Sequence, residues 1–474
     1  LTGRPAACFA IAGPGSTNMF TGLWDAKVDR APILALTGQV DTQVLGTKNF
    51  QELDLVDAFS AVAEFNHRVQ ATSKHAELMT LAIKQAILKR DVSHLTFPDE
   101  VQVLPAAEKA KAQTPDGRLA ALEIFPPKEA FEKALGMINT ASRPLIVVGH
   151  GARFNMEKIK TLAERLKCPV VTTFKGKGLI ADGHPLGCGV LGRSGTPIAS
   201  YFMNESDLLI VIGASFSKHT GITPKKPTIQ IDFDPLALSK FHKIDAPVWG
   251  EISATVGMLL DEVNQLDNKI DHTEEIAHRW EIWRAEKQKR LLEDRGKGIS
   301  SIATFDALTR LAPKNAVMCV DVGNNAYSFG RYFEPEAHSF LMSGYLGSIG
   351  FAFPAAMGAW AAVKDTRPVI AVAGDGGFCQ YLAELTTAVH YNMPIKAIIL
   401  NNNELGKISK EQRSGEFDVW ATSLSNPNFA EYANGCGALG VRVSKQEELD
   451  EAMQKVLAHD GPALLEVISD VKLI

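Results

Sequence analysis

The stretch that most constrains the fold is 369–408, VIAVAGDGGFCQYLAELTTAVHYNMPIKAIILNNNELGKI. It opens on a short apolar run, 369–373, that ends in a glycine turn, which is the pattern of a buried strand. Gly374, Gly376 and Gly377 carry no side chain that would hold a ligand away from the backbone. A helix is predicted over 378–390, with Leu382, Leu385 and Val389 on its inward face and unpaired N–H groups in its first turn for an anion. After Asn392, Met393 and Pro394, the run 395–400 is a second buried strand. Strands joined by a helix in a right-handed βαβ unit are parallel, so both carboxyl ends reach one edge of the sheet. Asp375 and Asn402 are therefore expected to meet there.

One carboxylate, one amide oxygen and one main-chain carbonyl leave room for two diphosphate oxygens and a water around magnesium, which prefers six oxygens. A lone Gly-Asp-Gly before a helix also occurs as a plain strand-to-helix turn. What separates the two readings is the order of parts, acid, helix, strand and asparagines, with 27 positions from Asp375 to Asn402. This arrangement resembles the GDG…NN signature of the thiamine-diphosphate (ThDP) enzymes. The resemblance implies cofactor contacts from Gly374, Asp375, Gly376, Gly377, Asn402, Asn403, Glu404, Leu405, Gly406 and Ile408, and a magnesium set of Asp375, Asn402 and Glu404.

With 474 residues, a net charge of −5 and 46% hydrophobic residues, the chain suits two or three domains with a core each. No long basic tract points to nucleic acid; Lys-rich pieces such as 158–160 and 287–290 are solvated helix faces. The six cysteines show neither zinc-ligand nor disulfide spacing, which fits a reducing cytoplasm. No apolar run approaches the ~20 residues of a membrane span, and no secretory signal is evident. Leu1 stands where a chain start would carry Met, and 6–13 already enters a Gly-Pro-Gly turn, so the start is expected to be cut away.

The chain divides into three α/β regions. The first, 1–105, alternates strands at 7–12, 33–37 and 94–97 with helices near 18–27 and 77–89. Its GPGSTN (13–18), LTGQ (36–39) and NFQE (49–52) resemble the pyrimidine-binding domain of the ThDP family. The family's glutamate for the aminopyrimidine would then lie upstream of Leu1. An Ala-, Lys- and Pro-rich linker is expected over 105–128. The second region, 125–265, has strands at 144–149, 170–173, 208–213 and 228–232. Its Gly149-His150-Gly151 turn lacks the third glycine and the acid of a dinucleotide fingerprint. VLGRSG (190–195) and IDFDP (231–235) resemble the central domain of ThDP decarboxylases and oxidases, whose flavin members hold FAD with these segments. That implies Gly192, Phe216 and Asp232 as FAD contacts, although the turn 214–221 lacks an arginine that some flavin members carry. A charged helix with Trp280 and Trp283 connects to the third region, 300–474. The fold class is thus α/β in a three-domain ThDP-enzyme architecture, each domain a mostly parallel sheet flanked by helices.

GSIGF (347–351) resembles the family segment in which an apolar residue wedges between the two rings of the cofactor. That residue is Ile349, with Gly347 and Ser348 beside it; by spacing alone Ile349 also reads as core. Phe50 and Gln51 match a pair that reaches the site from a neighbouring subunit, which implies a homodimer or homotetramer. LGKISKEQ (405–412) resembles pyruvate oxidases, where Ile408 and Glu411 would face the substrate, but Lys407 stands where those enzymes carry Phe. The implied activity is decarboxylation of pyruvate or a close 2-oxo acid with oxidation of the two-carbon fragment, as in the pyruvate oxidase and pyruvate:quinone oxidoreductase branch. The alternatives are an acetolactate synthase-like carboligase, a non-catalytic ThDP-binding homologue, and a nucleotide-binding Rossmann protein.

Overall fold

The computed structural model describes residues 1–105, 117–263 and 268–472, so residues 106–116 of the linker expected at 105–128 lie outside the described residues. Two compact units emerge, Leu1–Ala121 with Tyr345–Ser348, and Leu122–Gly344 with Ile349–Ile474.

The first unit holds β1 (Ala6–Ala10), β2 (Ile33–Gln39), β3 (Phe65–Arg68) and β4 (Val92–Pro98) in the order β1-β2-β4-β3, all parallel. Successive side chains of a strand face opposite ways, so Ala35 packs with Leu23, Phe59 and Val92 while Leu34 packs with Ala82 and Leu95 on the other face. The strand β3 is not among the expected ones, because FNHR has no apolar run to announce it.

The second unit carries two six-stranded sheets. The first has β5 (Pro144–Val148), β6 (Val170–Thr172), β7 (Gly187–Val190), β8 (Leu208–Ile212), β9 (Thr228–Asp232) and β10 (Ala246–Trp249), in the order β10-β9-β8-β5-β6-β7. The second has β11 (Val317–Val320), β12 (Ser339–Leu341), β13 (Val369–Gly374), β14 (Lys396–Asn401), β15 (Leu439–Val443) and β16 (Ala463–Ile468), in the order β12-β11-β13-β14-β16-β15. Every pairing is parallel. Strands such as Leu208–Ile212 are buried along their whole length, as sheets covered on both faces require. Helix Thr273–Leu291 links the two: the Trp280 indole donates to the Gly187 carbonyl (2.8 Å) and Trp283 stacks on Tyr332, ring centres 6.0 Å apart.

The expected helix over 378–390 is broken. A short helix, Asp375–Cys379, gives way to a turn before a second helix, Glu384–His390. Three-residue bonds from Gln380 N–H to Gly377 O and from Tyr381 N–H to Phe378 O tighten the chain there. The turn lets Gly350 come close: a Cβ on it would lie 2.8 Å from Gln380 Cβ. Leu385 and Ala388 form the buried face of the second helix, with Leu382 and Val389 half-buried. Among the described residues no helix is long and apolar enough to cross a membrane.

Candidate active site at the edge of the third sheet

In β12-β11-β13-β14-β16-β15 the direction of chain progress reverses between β11 and β13, and open parallel sheets bind ligands at the carboxyl ends flanking such a reversal. Both flanking strands are followed by a buried aspartate, Asp321 after β11 and Asp375 after β13. Asp375 Oδ1 accepts its neighbour Gly376 N–H (3.0 Å) and Oδ2 accepts from the Asn426 amide (2.8 Å). Burial raises its pKa, opposed by those bonds and by the N–H groups of Asn403 and Asn402. The carboxylate after β13 therefore meets the asparagine turn after β14, as the register Gly374 to Leu400 requires.

Asp321 has a different task. Its carboxylate accepts N–H groups from Val322 (2.8 Å), Gly350 (3.0 Å) and Ala352 (3.2 Å), and burial raises its pKa. It also explains Gly377, since a Cβ there would lie 2.8 Å from Asp321 Oδ2. Asp321 thus holds the backbone following Ile349 and lies against the glycine turn after Asp375. Ile349 is 42% exposed, so it is not a core residue. Gly347 has φ +70°, and Ser348 is half-buried.

The asparagine turn is held on all sides. Asn401 donates to the buried Glu466 (2.8 Å), Asn402 Oδ1 accepts Glu404 N–H (3.0 Å), and Asn403 takes a left-handed φ of 55°, which asparagine tolerates. The Leu405 N–H reaches Thr422 O (2.7 Å) and the Leu424 N–H reaches Asn403 O (2.8 Å). Glu404's carboxylate is paired with Arg413 (3.0 Å), which leaves its main-chain oxygen as the atom to offer a metal; that oxygen also accepts the Gly406 N–H (2.8 Å). Among the described residues no group of three or more His, Cys, Asp or Glu could hold a metal ion. An ion here would rest on one carboxylate with amide and main-chain oxygens, a hard oxygen set that suits magnesium. The Asn324 Nδ2 group is buried without a hydrogen-bond partner, and a Cβ on Gly406 would lie 3.1 Å from it. A spare donor beside a glycine is what an incoming anion needs, so the residues fit a magnesium diphosphate.

Of the remaining expected residues, Phe50 and Gln51 belong to the first unit, and Ile408, Glu411, Gly192, Phe216 and Asp232 to the second. Phe50 is 82% exposed, and Gln51, at φ +62°, packs against Gly13 in the first unit. Glu52 staples that loop, accepting Gly46 and Asn49 N–H groups. Ile408 is exposed on helix Gly406–Ser414, and Glu411 on the same helix pairs with Lys407 (2.6 Å). At the second sheet, Gly192 (φ +101°) abuts His219 and Thr220, Phe216 meets His242 edge-on at 4.9 Å, and the Asp232 carboxylate accepts Asp234 N–H (2.9 Å). Gly149 has a packing reason, since a Cβ on it would come 2.2 Å from the Gly213 carbonyl.

Asp321, Asn324 and Asn426 stand at this candidate edge without being singled out by the sequence reading. The first two carry a visible signal, an acid and asparagines directly after an apolar strand, DVGNN, the same grammar as at Asp375. Asn426 carries none, being an ordinary loop residue before a proline.

Comparison with known proteins identifies the family. The descriptions "Thiamine pyrophosphate enzyme, N-terminal TPP binding domain", "central domain" and "C-terminal TPP binding domain" match residues 1–58, 131–259 and 321–467. The chain is 34% identical to "Putative thiamine pyrophosphate-containing protein YdaP" of Bacillus subtilis (strain 168), over 99% of this chain and 81% of that protein. It is 32% identical to "Probable acetolactate synthase large subunit" of Methanococcus aeolicus, over 99% and 82%. It is 29% identical to acetolactate synthase isozyme 2 large subunit of Escherichia coli (strain K12), over 99% and 85%. Three matching domains in family order, around an acid and an asparagine turn at one sheet edge, make this chain a member of the thiamine pyrophosphate enzyme family.

Proposed function

We propose that this protein is a magnesium- and ThDP-dependent carboligase of the acetolactate synthase type, joining the two-carbon fragment of pyruvate, or of a close 2-oxo acid, to a second 2-oxo acid. The observation that carries the reading is the buried Asp375 carboxylate set against the asparagine turn at the reversal point of the third sheet. The carboligase choice is supported by relatives named as acetolactate synthases that align over 99% of the chain. The pyruvate oxidase reading remains as a second one, because LGKISKEQ at 405–412 resembles that branch.

In this reading Asp375, Asn402 and the Glu404 main-chain oxygen hold the ion, and Asn324 offers its free N–H to the diphosphate. Asp321 sets the backbone on which Ile349 stands, so that an apolar side chain is presented between the cofactor's rings. Phe50 and Gln51 serve a neighbouring subunit's site, which requires at least a homodimer. Bound ThDP supplies the electron sink that makes loss of carbon dioxide from a 2-oxo acid feasible, and the chain binds, orients and excludes water. Gly192, Phe216 and Asp232 would hold a flavin.

Purified protein supplied with pyruvate, ThDP and Mg²⁺ tests the choice. Acetolactate formation without reduction of an artificial electron acceptor supports the carboligase. Acceptor reduction without acetolactate replaces it with the oxidase, and neither product sinks both readings. A flavin band in the visible spectrum of the same preparation, and light scattering at working concentration, check the cofactor and the dimer.

A further inference from the structure

Asn426 touches both halves of the candidate metal clamp. Its side-chain nitrogen lies 2.8 Å from Asp375 Oδ2, 3.0 Å from Asn401 Oδ1 and 3.2 Å from Asn403 Oδ1. Those acceptors belong to the ends of two adjacent parallel strands, β13 and β14. A primary amide has two N–H donors, so three oxygens share two hydrogens and are drawn toward one point. Because Gly376 N–H holds the other Asp375 oxygen at 3.0 Å, both carboxylate oxygens are fixed and the plane of the group cannot swing.

Asn426 is itself braced. Its side-chain oxygen faces the Cys379 thiol at 3.8 Å, and Asn428, two residues on, caps helix Phe429–Gly435 by accepting Glu431 N–H (3.1 Å). In the same helix Ala430 N–H donates to Glu466 Oε2 (3.1 Å). Glu466 is fully buried on β16, and its other oxygen takes the Asn401 amide (2.8 Å). Glu466, Asn401, Asn426 and the chain from 426 to 430 thus close a ring of polar contacts. A loop residue aimed at a carboxylate from such a ring is positioned as outer partners of metal ligands are.

We propose that Asn426 is a positioning residue for the magnesium site: it sets the orientation of the Asp375 carboxylate and ties the asparagine turn to it. The proposal rests on the reading of that edge as a magnesium diphosphate site. Magnesium demands near-ideal octahedral geometry, whereas calcium accepts six to eight oxygens in flexible arrangements. Loss of an orienting contact therefore harms magnesium binding more than calcium binding.

The test is calorimetric titration of Mg²⁺ and of Ca²⁺, each with ThDP saturating, into wild type, Asn426→Ala and Asn426→Leu. The leucine variant keeps the volume of the side chain and serves if the alanine variant does not fold. Expected is a magnesium dissociation constant raised about 10- to 100-fold, with calcium affinity changed several-fold less. Affinities within twofold of wild type, or equal losses for both ions, would overturn the positioning role. A wild-type protein that takes up neither ion with ThDP would instead sink the reading of the site, so the two failures are distinguishable.

Discussion

The two six-stranded sheets of the second unit are both parallel throughout, and they differ in the residues that cap the strands at their reversal points. In one, β5 and β8 run into Gly149 and Gly213, whose turns pack backbone on backbone. In the other, β11 and β13 run into Asp321 and Asp375, 1% and 2% exposed. The second sheet, β10-β9-β8-β5-β6-β7, has the strand order of a dinucleotide-binding fold, so topology alone would place a site there. Burying an ionisable group costs stability unless partners offset it, and the third sheet carries two such groups on its edge. A site belongs to the residues at strand ends, and the sheet order only says where to look for them.

The largest expected effect tests that contrast directly. Asp375→Ala removes the only carboxylate of the metal set and is expected to weaken Mg²⁺ binding by well over the roughly 100-fold typical of losing an outer partner. Asp232→Ala, at the edge of the second sheet, should leave it within about twofold. Calorimetric titration with ThDP present measures both, and comparable losses would break the comparison. Asp321→Ala comes next. It deprives the N–H groups of Val322, Gly350 and Ala352 of their acceptor, and is expected to cost about 3 kcal/mol in urea unfolding. Asp321→Asn keeps part of those bonds and should lose less.

Much of the third region was legible because its signals are local. Val369–Gly374 and Lys396–Asn401 are short apolar runs bounded by glycine, proline or asparagine, and lie within a residue of expectation. The broken helix after Asp375 was not legible, since the turn packs against Gly350, which is distant in sequence. Likewise Ile349 reads as core or wedge from spacing, and only its exposure decides against core. Asn426 lies beyond any pattern, because a loop amide acquires its partners from other segments of the chain.

The second sheet's edge has its own titratable group. His150, in the turn after β5, has its pKa lowered to about 3, by burial first and then by the charges of Arg153 and Lys175. Since the unfolded chain binds the proton more readily, the stability this ring contributes is complete above its ordinary value of about 6.5 and is lost as pH falls toward 3. His150→Gln removes the titration. Between pH 7 and pH 4.5 wild type should lose roughly 1–2 kcal/mol more than the variant, read from urea midpoints. Equal losses would mean that the acid limb is set at other groups.

The smallest effect concerns the helix after the asparagine turn, Gly406–Ser414, where the third sheet's edge either extends its chemistry outward or ends. Lys407 and Glu411 pair at 2.6 Å with their side chains 33% and 60% exposed, and this bond together with the lysine's charge holds the Glu411 carboxyl below its usual range. An exposed i,i+4 pair contributes no more than about 0.5 kcal/mol, so Glu411→Gln should scarcely move the thermal midpoint. If Glu411 faces the substrate, as the resemblance of 405–412 implies, the same change lowers kcat or raises KM for pyruvate several-fold while stability stays put. Should kinetics and stability both hold, the pair is a surface contact only, and the working edge ends at Gly406.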